Sequence, residues 1–275
     1  MLEAGLLLLL GIAVGAFGTL VGAGGGFVLV PILLLVYPDR DAATVTAMSL
    51  FVVFANATSG SLAYARQRRI DYRSAAWFAL GTLPGALAGA IVVGYIPRRA
   101  FDFLFAAVVA VVAVYLSLPR GAQEVRTPVA GRGVVTRTLT DSAGHTFRYA
   151  YRLWQGVLIS SAVGFMSSLL GIGGGIVHVP VMILLLHFPV HIATATSHLV
   201  LALMSFEGSV VHFVQGELGW DETFLQTIAI AAGAIPGAQI GARLAQRIHE
   251  RMIVRGLASA LLLISIRLWV AALVG

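Results

Sequence analysis

GAGGGFVLVPILLL, Gly22 to Leu35, decides the fold because it returns as GIGGGIVHVPVMIL, Gly171 to Leu184. At one constant offset Gly22/171, Gly24/173, Gly25/174, Gly26/175, Val28/177, Val30/179, Pro31/180 and Leu35/184 are identical, eight positions in fourteen. Glycine lets the backbone turn through positive φ and approach another group closely, and here it precedes an apolar segment whose early proline suits a first helical turn. A helix start presents unpaired N–H groups and the positive end of the helix dipole, which together make an anion site. The doubled block predicts two helix starts that cradle an anion between them.

Outward from this block the halves keep matching. GTLPGALAGA (Gly81 to Ala90) aligns with GAIPGAQIGA (Gly233 to Ala242), and Ser49, Gly60 and Ser61 align with Ser197, Gly208 and Ser209. This is an internal duplication. Hydrophobic residues make up 59% of the chain, charged residues 11% and the mean hydropathy is +0.92, against roughly 25% charged residues in a soluble domain. The chain therefore reads as a polytopic membrane protein. Its apolar runs are long and continuous rather than short and alternating, so the spans are α-helical and not a β-barrel.

Cysteine is absent, which removes disulfides and thiolate chemistry, and the net charge of +6 comes from arginine without lysine. In such a protein that charge reports topology rather than a nucleic-acid partner. The first residues, MLEAGLLLLLG, lack a basic n-region and are expected to be retained as the first helix.

Each glycine block interrupts a run that as one helix would hold about 33 residues and extend about 50 Å, too long for a hydrocarbon core of about 30 Å. Either the pieces form a hairpin that enters and returns, or one crosses and the other lies at the interface. Loop charge bears on the topology. Arg66, Arg68, Arg69 and Arg73 stand against Asp71 in one loop (net +3), whereas the equivalent loop of the second half carries Glu217, Asp221 and Glu222 (net −3). Equivalent loops of opposite charge belong on opposite sides, with the basic one inside. The expected fold is an all-α polytopic membrane protein of two inverted repeats, each a broken or re-entrant helical hairpin with a Gly-rich tip followed by three transmembrane helices. Residues 1–118 form the first repeat, 119–152 a cytoplasmic polar insert and 153–275 the second repeat. A bacterial-type inner membrane with both termini outside completes the expectation. In the insert, Val134 to Thr140 and His145 to Tyr151 flank Asp141-Ser142-Ala143-Gly144 and read as a β-hairpin.

Paired broken helices in a repeat point to a transporter site at the midplane. The substrate-binding candidates are the N–H groups of Gly24, Gly25, Gly26 and Phe27 and of Gly173, Gly174, Gly175 and Ile176. Ser49, Asn56 and Ser197 join them as hydroxyl and amide donors on the polar face of the following span. Two dipole ends sum to about one elementary charge, enough for a monovalent anion. Packing of small residues is the competing reading of the glycines, and it is the first reading of the Gly81/85/89 and Gly233/237/241 rows. Glu207 lies mid-span, where an ionised carboxylate is costly. With His178, His198 and His212 it forms the set of proton-coupling candidates, found in the second half only. His178 sits just inside the second block, so the first tip is expected to be nearly all backbone. No metal site, cofactor or catalytic constellation is expected.

The doubled GxGGGxxxxP block, the polar span after it and the later G-x-x-P-G-A-x-x-G-A block resemble the sulfite exporter TauE/SafE family of membrane permeases. The resemblance covers both halves and not the insert, and carries over to Gly22, Gly24, Gly25, Gly26 and Pro31 and to Gly171, Gly173, Gly174, Gly175 and Pro180. It implies a permease or exporter for small sulfur oxyanions such as sulfite, thiosulfate or organosulfonates, working by alternating access. Its partners would be the anion and the lipid bilayer, with protons as a candidate coupling ion, the oligomeric state open and no nucleic acid. Two other readings remain: a metal-cation carrier using His178, His198, His212 and Glu207, and a membrane scaffold or assembly protein.

Overall fold

The computed structural model describes residues 2–117, 133–245, 259, 262, 263 and 266. The expected last apolar run, 252–274, and the first part of the insert lie largely outside the described residues. The first half runs α1 (Leu2–Val21), α2 (Gly26–Val36), α3 (Ala42–Arg66), α4 (Tyr72–Val93) and α5 (Arg98–Ser117). Strands β1 (Val134–Thr140) and β2 (Thr146–Arg152) follow, and then α6 (Leu153–Leu170), α7 (Gly175–Leu184), α8 (Val190–Val214) and α9 (Glu222–Leu244). Among the described residues six helices, α1, α3, α4, α6, α8 and α9, are long and apolar enough to cross a bilayer.

The chain folds back at each glycine block. Phe17 and Phe27 stand with ring centroids 6.0 Å apart across the first turn, which a helix running straight on could not achieve. The far ends of the two limbs also meet. Gln226 of α9 donates to Glu3 Oε1 (3.0 Å) at the start of α1 and accepts from Arg40 (2.6 Å) just after α2. With 11 and 10 residues, α2 and α7 are about 15 Å long, half of a hydrocarbon core. Among the described residues α2 folds back along α1, and α7 along α6, where His178 meets Ser160.

Small residues set how the helices pack. A methyl group built on Gly233, Gly237 or Gly241 of α9 would fall within 2.4 Å of the carbonyls of Leu8, Ile12 or Ala16 in α1, so only glycine permits this approach. Gly81, Gly85 and Gly89 of α4 meet Val157, Ser161 and Phe165 of α6 in the same way. Both pairs advance in step and are therefore parallel. The central pair runs the other way: Gly60 of α3 packs on His198 of α8, and Gly208 of α8 packs on Leu50 of α3. Each contact turns into the other when the halves are exchanged.

β1 and β2 pair antiparallel, Val134 opposite Arg152 through Thr140 opposite Thr146, with the turn at the expected place. An isolated two-stranded ribbon is marginal in water, and this one docks. Tyr149 and Tyr151 are buried against Phe78 and Phe188, and Arg69 pairs with Asp141 at 3.0 Å. Asp71, in the loop between α3 and α4, accepts from Tyr149 (2.8 Å), faces Arg137 (3.4 Å) and caps α4 through Ser74 N (3.1 Å). Its own N–H donates to Thr196 of α8. One aspartate thus ties the ribbon to both halves of the helical body.

Candidate functional site

Three glycines in each block take positive φ at matching positions: Gly22 (80°), Gly24 (74°) and Gly25 (85°), then Gly171 (66°), Gly173 (73°) and Gly174 (70°). A side chain in that region costs roughly 1–2 kcal/mol per residue, so the repetition of glycine has a local cause. Gly25 and Gly174 are the residues before α2 and α7, and neither helix start has a side-chain cap. Gly175 N–H donates to the Gly173 carbonyl (2.9 Å), and Val28 and Val177 N–H to the Gly25 and Gly174 carbonyls (3.0 Å each), while among the described residues no backbone acceptor meets the N–H groups of Gly26, Phe27 and Ile176.

The two tips touch. A methyl group on Gly26 would lie 2.6 Å from the Gly171 carbonyl oxygen, and one on Gly175 would lie 2.5 Å from the Gly22 carbonyl oxygen. Val53 of α3 and Leu201 of α8 close over Gly24, and Val53 also covers Gly173. All residues from Val21 to Phe27 and from Leu169 to Ile176 are buried. An ion directly between the tips, as the sequence suggested, has no room while these backbone contacts stand.

The polar candidates divide into two groups. Ser49 donates to the Gly171 carbonyl (2.6 Å) and Asn56 to the Gly24 carbonyl (3.0 Å). Their donors hold the tips in place, which gives them a positioning part in this conformation rather than a free hydrogen for an anion. His178, in the first turn of α7, lies between Ser160 and Ser197 (3.2 Å each) with Phe78 edge-on. His198 reaches the first tip through Thr19 (3.2 Å), beneath the ring of Tyr64. The expectation that the first tip is nearly all backbone is therefore corrected. The antiparallel crossing of α3 and α8 carries a histidine of the second half to it. His212 pairs with Glu217 at the end of α8, away from both tips. Glu207 has one carboxylate oxygen buried without a partner. These histidines and Glu207 are dispersed, and among the described residues no three of His, Cys, Asp and Glu come together as a metal site.

Sequence reasoning missed a pair of serines. Hydroxyls in apolar helices ordinarily bond a carbonyl one turn back, as Ser160 does to Gly156, Ser209 to Ser205 and Thr227 to Thr223. Ser167 and Ser168, in the last turn of α6, do not. Both are fully buried and both hydroxyls lack a partner among the described residues. Ser167 Oγ lies 3.1 Å from where a methyl on Gly174 would be, and Ser168 Oγ 3.4 Å from the same position on Gly208. The first half has Gly18 and Thr19 in their place, and Thr19 is bonded to Asn56 (3.1 Å). Both helix starts are uncapped, but the hydroxyl beside the first tip is bonded whereas the two beside the second are not. A polar pair one turn ahead of the glycine block was the available signal.

Residues 7–268 match the family model described as sulfite exporter TauE/SafE. The chain is 33% identical over 269 residues to a probable membrane transporter protein, YunE, of Bacillus subtilis, with 96% of each chain covered. It is 28% identical over 221 residues to a probable membrane transporter protein, MJ0441, of Methanocaldococcus jannaschii, covering 78% of this chain and 74% of that one. No solved structure matches.

Proposed function

The chain belongs to the sulfite exporter TauE/SafE family and is a multi-pass membrane transporter, and on that premise we propose that it carries small sulfur oxyanions, binding them at the second glycine tip. The observation that carries this reading is the pair of buried, unpartnered hydroxyls of Ser167 and Ser168 beside the uncapped start of α7. An oxyanion supplies acceptors for these O–H groups and for the N–H groups of Gly174 and Ile176, whereas the Gly175 N–H already donates to the Gly173 carbonyl (2.9 Å), and the α7 dipole favours its charge. A desolvated site with hydrogen-bond donors and no cationic side chain suits a load of low net charge, such as hydrogen sulfite, a sulfonate, or thiosulfate carried together with a proton, better than one of high charge.

The route is alternating access by two inverted repeats. Support comes from the antiparallel crossing of α3 and α8, the exchange of their contacts between the halves, and the opposite charge of equivalent loops. The tight tip-to-tip contact corresponds to the closed state, and the tips part to admit the ion. Positive loops sit on the cytoplasmic side by the charge rule, which puts Arg69 and the β-ribbon inside.

Purified protein in liposomes tests the substrate class. Radiolabelled sulfite, thiosulfate and a short-chain sulfonate should exchange faster than in empty liposomes, with chloride a poor competitor. Absence of flux for all three removes the proposal.

A further inference from the structure

Ser59 of α3 donates to the Ile235 carbonyl (2.8 Å) and lies against Gln239, whose amide donates to the Ser59 carbonyl (2.6 Å) and hydroxyl (2.9 Å). This ties α3 to α9 next to Pro236, where the missing proline N–H interrupts the helix ladder. The second half contains the same packing between α8 and α4. With Gly60 matching Gly208 and Pro236 matching Pro84, Ser59 corresponds to Glu207, Ile235 to Leu83 and Gln239 to Leu87. The Gly60–His198 and Gly208–Leu50 contacts support the equivalence of α3 and α8, and that of α4 and α9 follows from the aligned Gly81/233, Pro84/236 and Gly85/237. The tie in the second half therefore meets a carboxyl group and two leucines.

An ionised carboxylate can only accept hydrogen bonds. It cannot repeat the donation of Ser59 to a carbonyl, and neither Leu83 nor Leu87 offers a side-chain donor. Glu207 Oε2 is buried without a partner, and the neighbours on its face, Leu203, Phe206 and Val210, are turned to the apolar exterior. Charged and titratable groups are remote on every packed element. From Ala42 to Ala63 of α3 and from Ser74 to Val93 of α4 there is none, and α6 has none. On α7, His178 is engaged by Ser160 and Ser197. On α8 itself, His198 bonds Thr19 and His212 pairs with Glu217, each with its other ring nitrogen buried and unpartnered, and His191 lies at the far, N-terminal end of the helix. Among the described residues, α3, α4 and α6 present no lysine or arginine on these stretches to balance a carboxylate.

We propose that Glu207 is a proton-binding site: the protonated carboxyl donates to the Leu83 carbonyl and ties α8 to α4 as Ser59 ties α3 to α9, and loss of the proton releases that tie. Glu207 directly precedes Gly208, which packs on Ser168, and lies three residues after Met204, which covers Gly174. Proton and anion thus act on the same turn of α8, and one proton accompanies the anion. That coupling rests on the anion site proposed above, whereas the proton site does not.

Two measurements separate the claims. Infrared titration of the purified protein without substrate should show a protonated-carboxyl band that is absent in Glu207→Gln and in Glu207→Ser, the latter copying Ser59. A band unchanged by both substitutions overturns the proton site, whatever the transport result. In liposomes, thiosulfate exchange without a gradient reads transport alone, and accumulation driven by an acid exterior reads coupling. Wild type should accumulate thiosulfate several-fold above equilibrium, while Glu207→Gln should exchange without accumulating. Accumulation by Glu207→Gln equal to wild type overturns the coupling, whereas absence of exchange in wild type counts against the anion reading.

Discussion

Gly26 and the carbonyl oxygen of Gly171 stand so close that a methyl group on Gly26 would lie 2.6 Å from that oxygen, and at this point the two glycine tips meet backbone to backbone. Gly26 itself is helical with no positive φ. Alanine there would by helix propensity alone be favourable by roughly 0.5–1 kcal/mol. Its methyl group would nevertheless sit 2.6 Å from Gly171 O and 2.8 Å from the Ile172 carbonyl carbon, backbone atoms that cannot turn aside. Overpacking of this kind costs about 1–3 kcal/mol, so Gly26→Ala should lower thermal stability and slow transport. Gly175→Ala should do the same against Gly22 and Ala23. Unchanged melting of both variants would show that the tips do not hold this contact in the membrane.

Ser167 and Ser168 separate stability from binding. A buried hydroxyl without a partner costs roughly 1–3 kcal/mol, so Ser167→Ala and Ser168→Ala should leave the thermal midpoint unchanged or raise it. A hydrogen bond to a charged group contributes about 1.5–3 kcal/mol, so each should weaken oxyanion binding about tenfold or more. Ser160→Ala is the control, because that hydroxyl is already bonded to Gly156 and to His178. Thermal midpoints with and without thiosulfate read both effects. Loss of stability without loss of binding would make the two serines packing residues.

The docking of the β-ribbon should depend on acid. Burial alone would push the Asp141 carboxyl up, but the N–H groups of His145 and Ala143 and the Arg69 guanidinium outweigh it and hold the group below the usual carboxylate range. A group whose folded value is depressed contributes stability that is present above its unfolded value, about 3.9. That stability is lost as the pH falls through the lower folded value. The hydrogen-exchange protection of residues 134–152, measured against the intrinsic rate at each pH, should be high and steady at neutral pH and fall below about pH 4. Asp141→Asn should exchange fast throughout. An acid response that survives in Asp141→Asn would place its origin elsewhere.

Much of this architecture was legible because it was written twice. The glycine blocks, the glycine rows that pack α4 on α6 and α9 on α1, and the ribbon with its turn at Asp141 all follow from local spacing. The direction taken by α2 was not, since the apolar run does not fix it and it is read from the Phe17–Phe27 contact and the Gln226 bridge between Glu3 and Arg40. Nor was the place of His198, which meets Thr19 across 179 positions. Only their place one turn ahead of the glycine block sets Ser167 and Ser168 apart in sequence from Ser160, whose hydroxyl satisfies its own helix. Whether a serine is free is decided by rotamer and packing, which single-sequence periodicity does not contain.

The loops between α3 and α4 and between α8 and α9 test the inverted arrangement directly. Arg68 and Trp220 are both exposed in these loops, and the protein has no cysteine of its own. Arg68→Cys and Trp220→Cys therefore each create one reactive thiol without a background. If the repeats were parallel, equivalent loops would share a side and both thiols would react alike with an impermeant maleimide. With inverted repeats and arginine inside, the thiol at position 220 should be labelled in intact cells. The thiol at position 68 should be labelled only after the membrane is opened. The ribbon provides an internal check, because Asp141 pairs with Arg69 and must share its side. Ser142→Cys should follow position 68, not position 220. Labelling of positions 68 and 220 from the same side would remove the inverted topology and, with it, the alternating-access route.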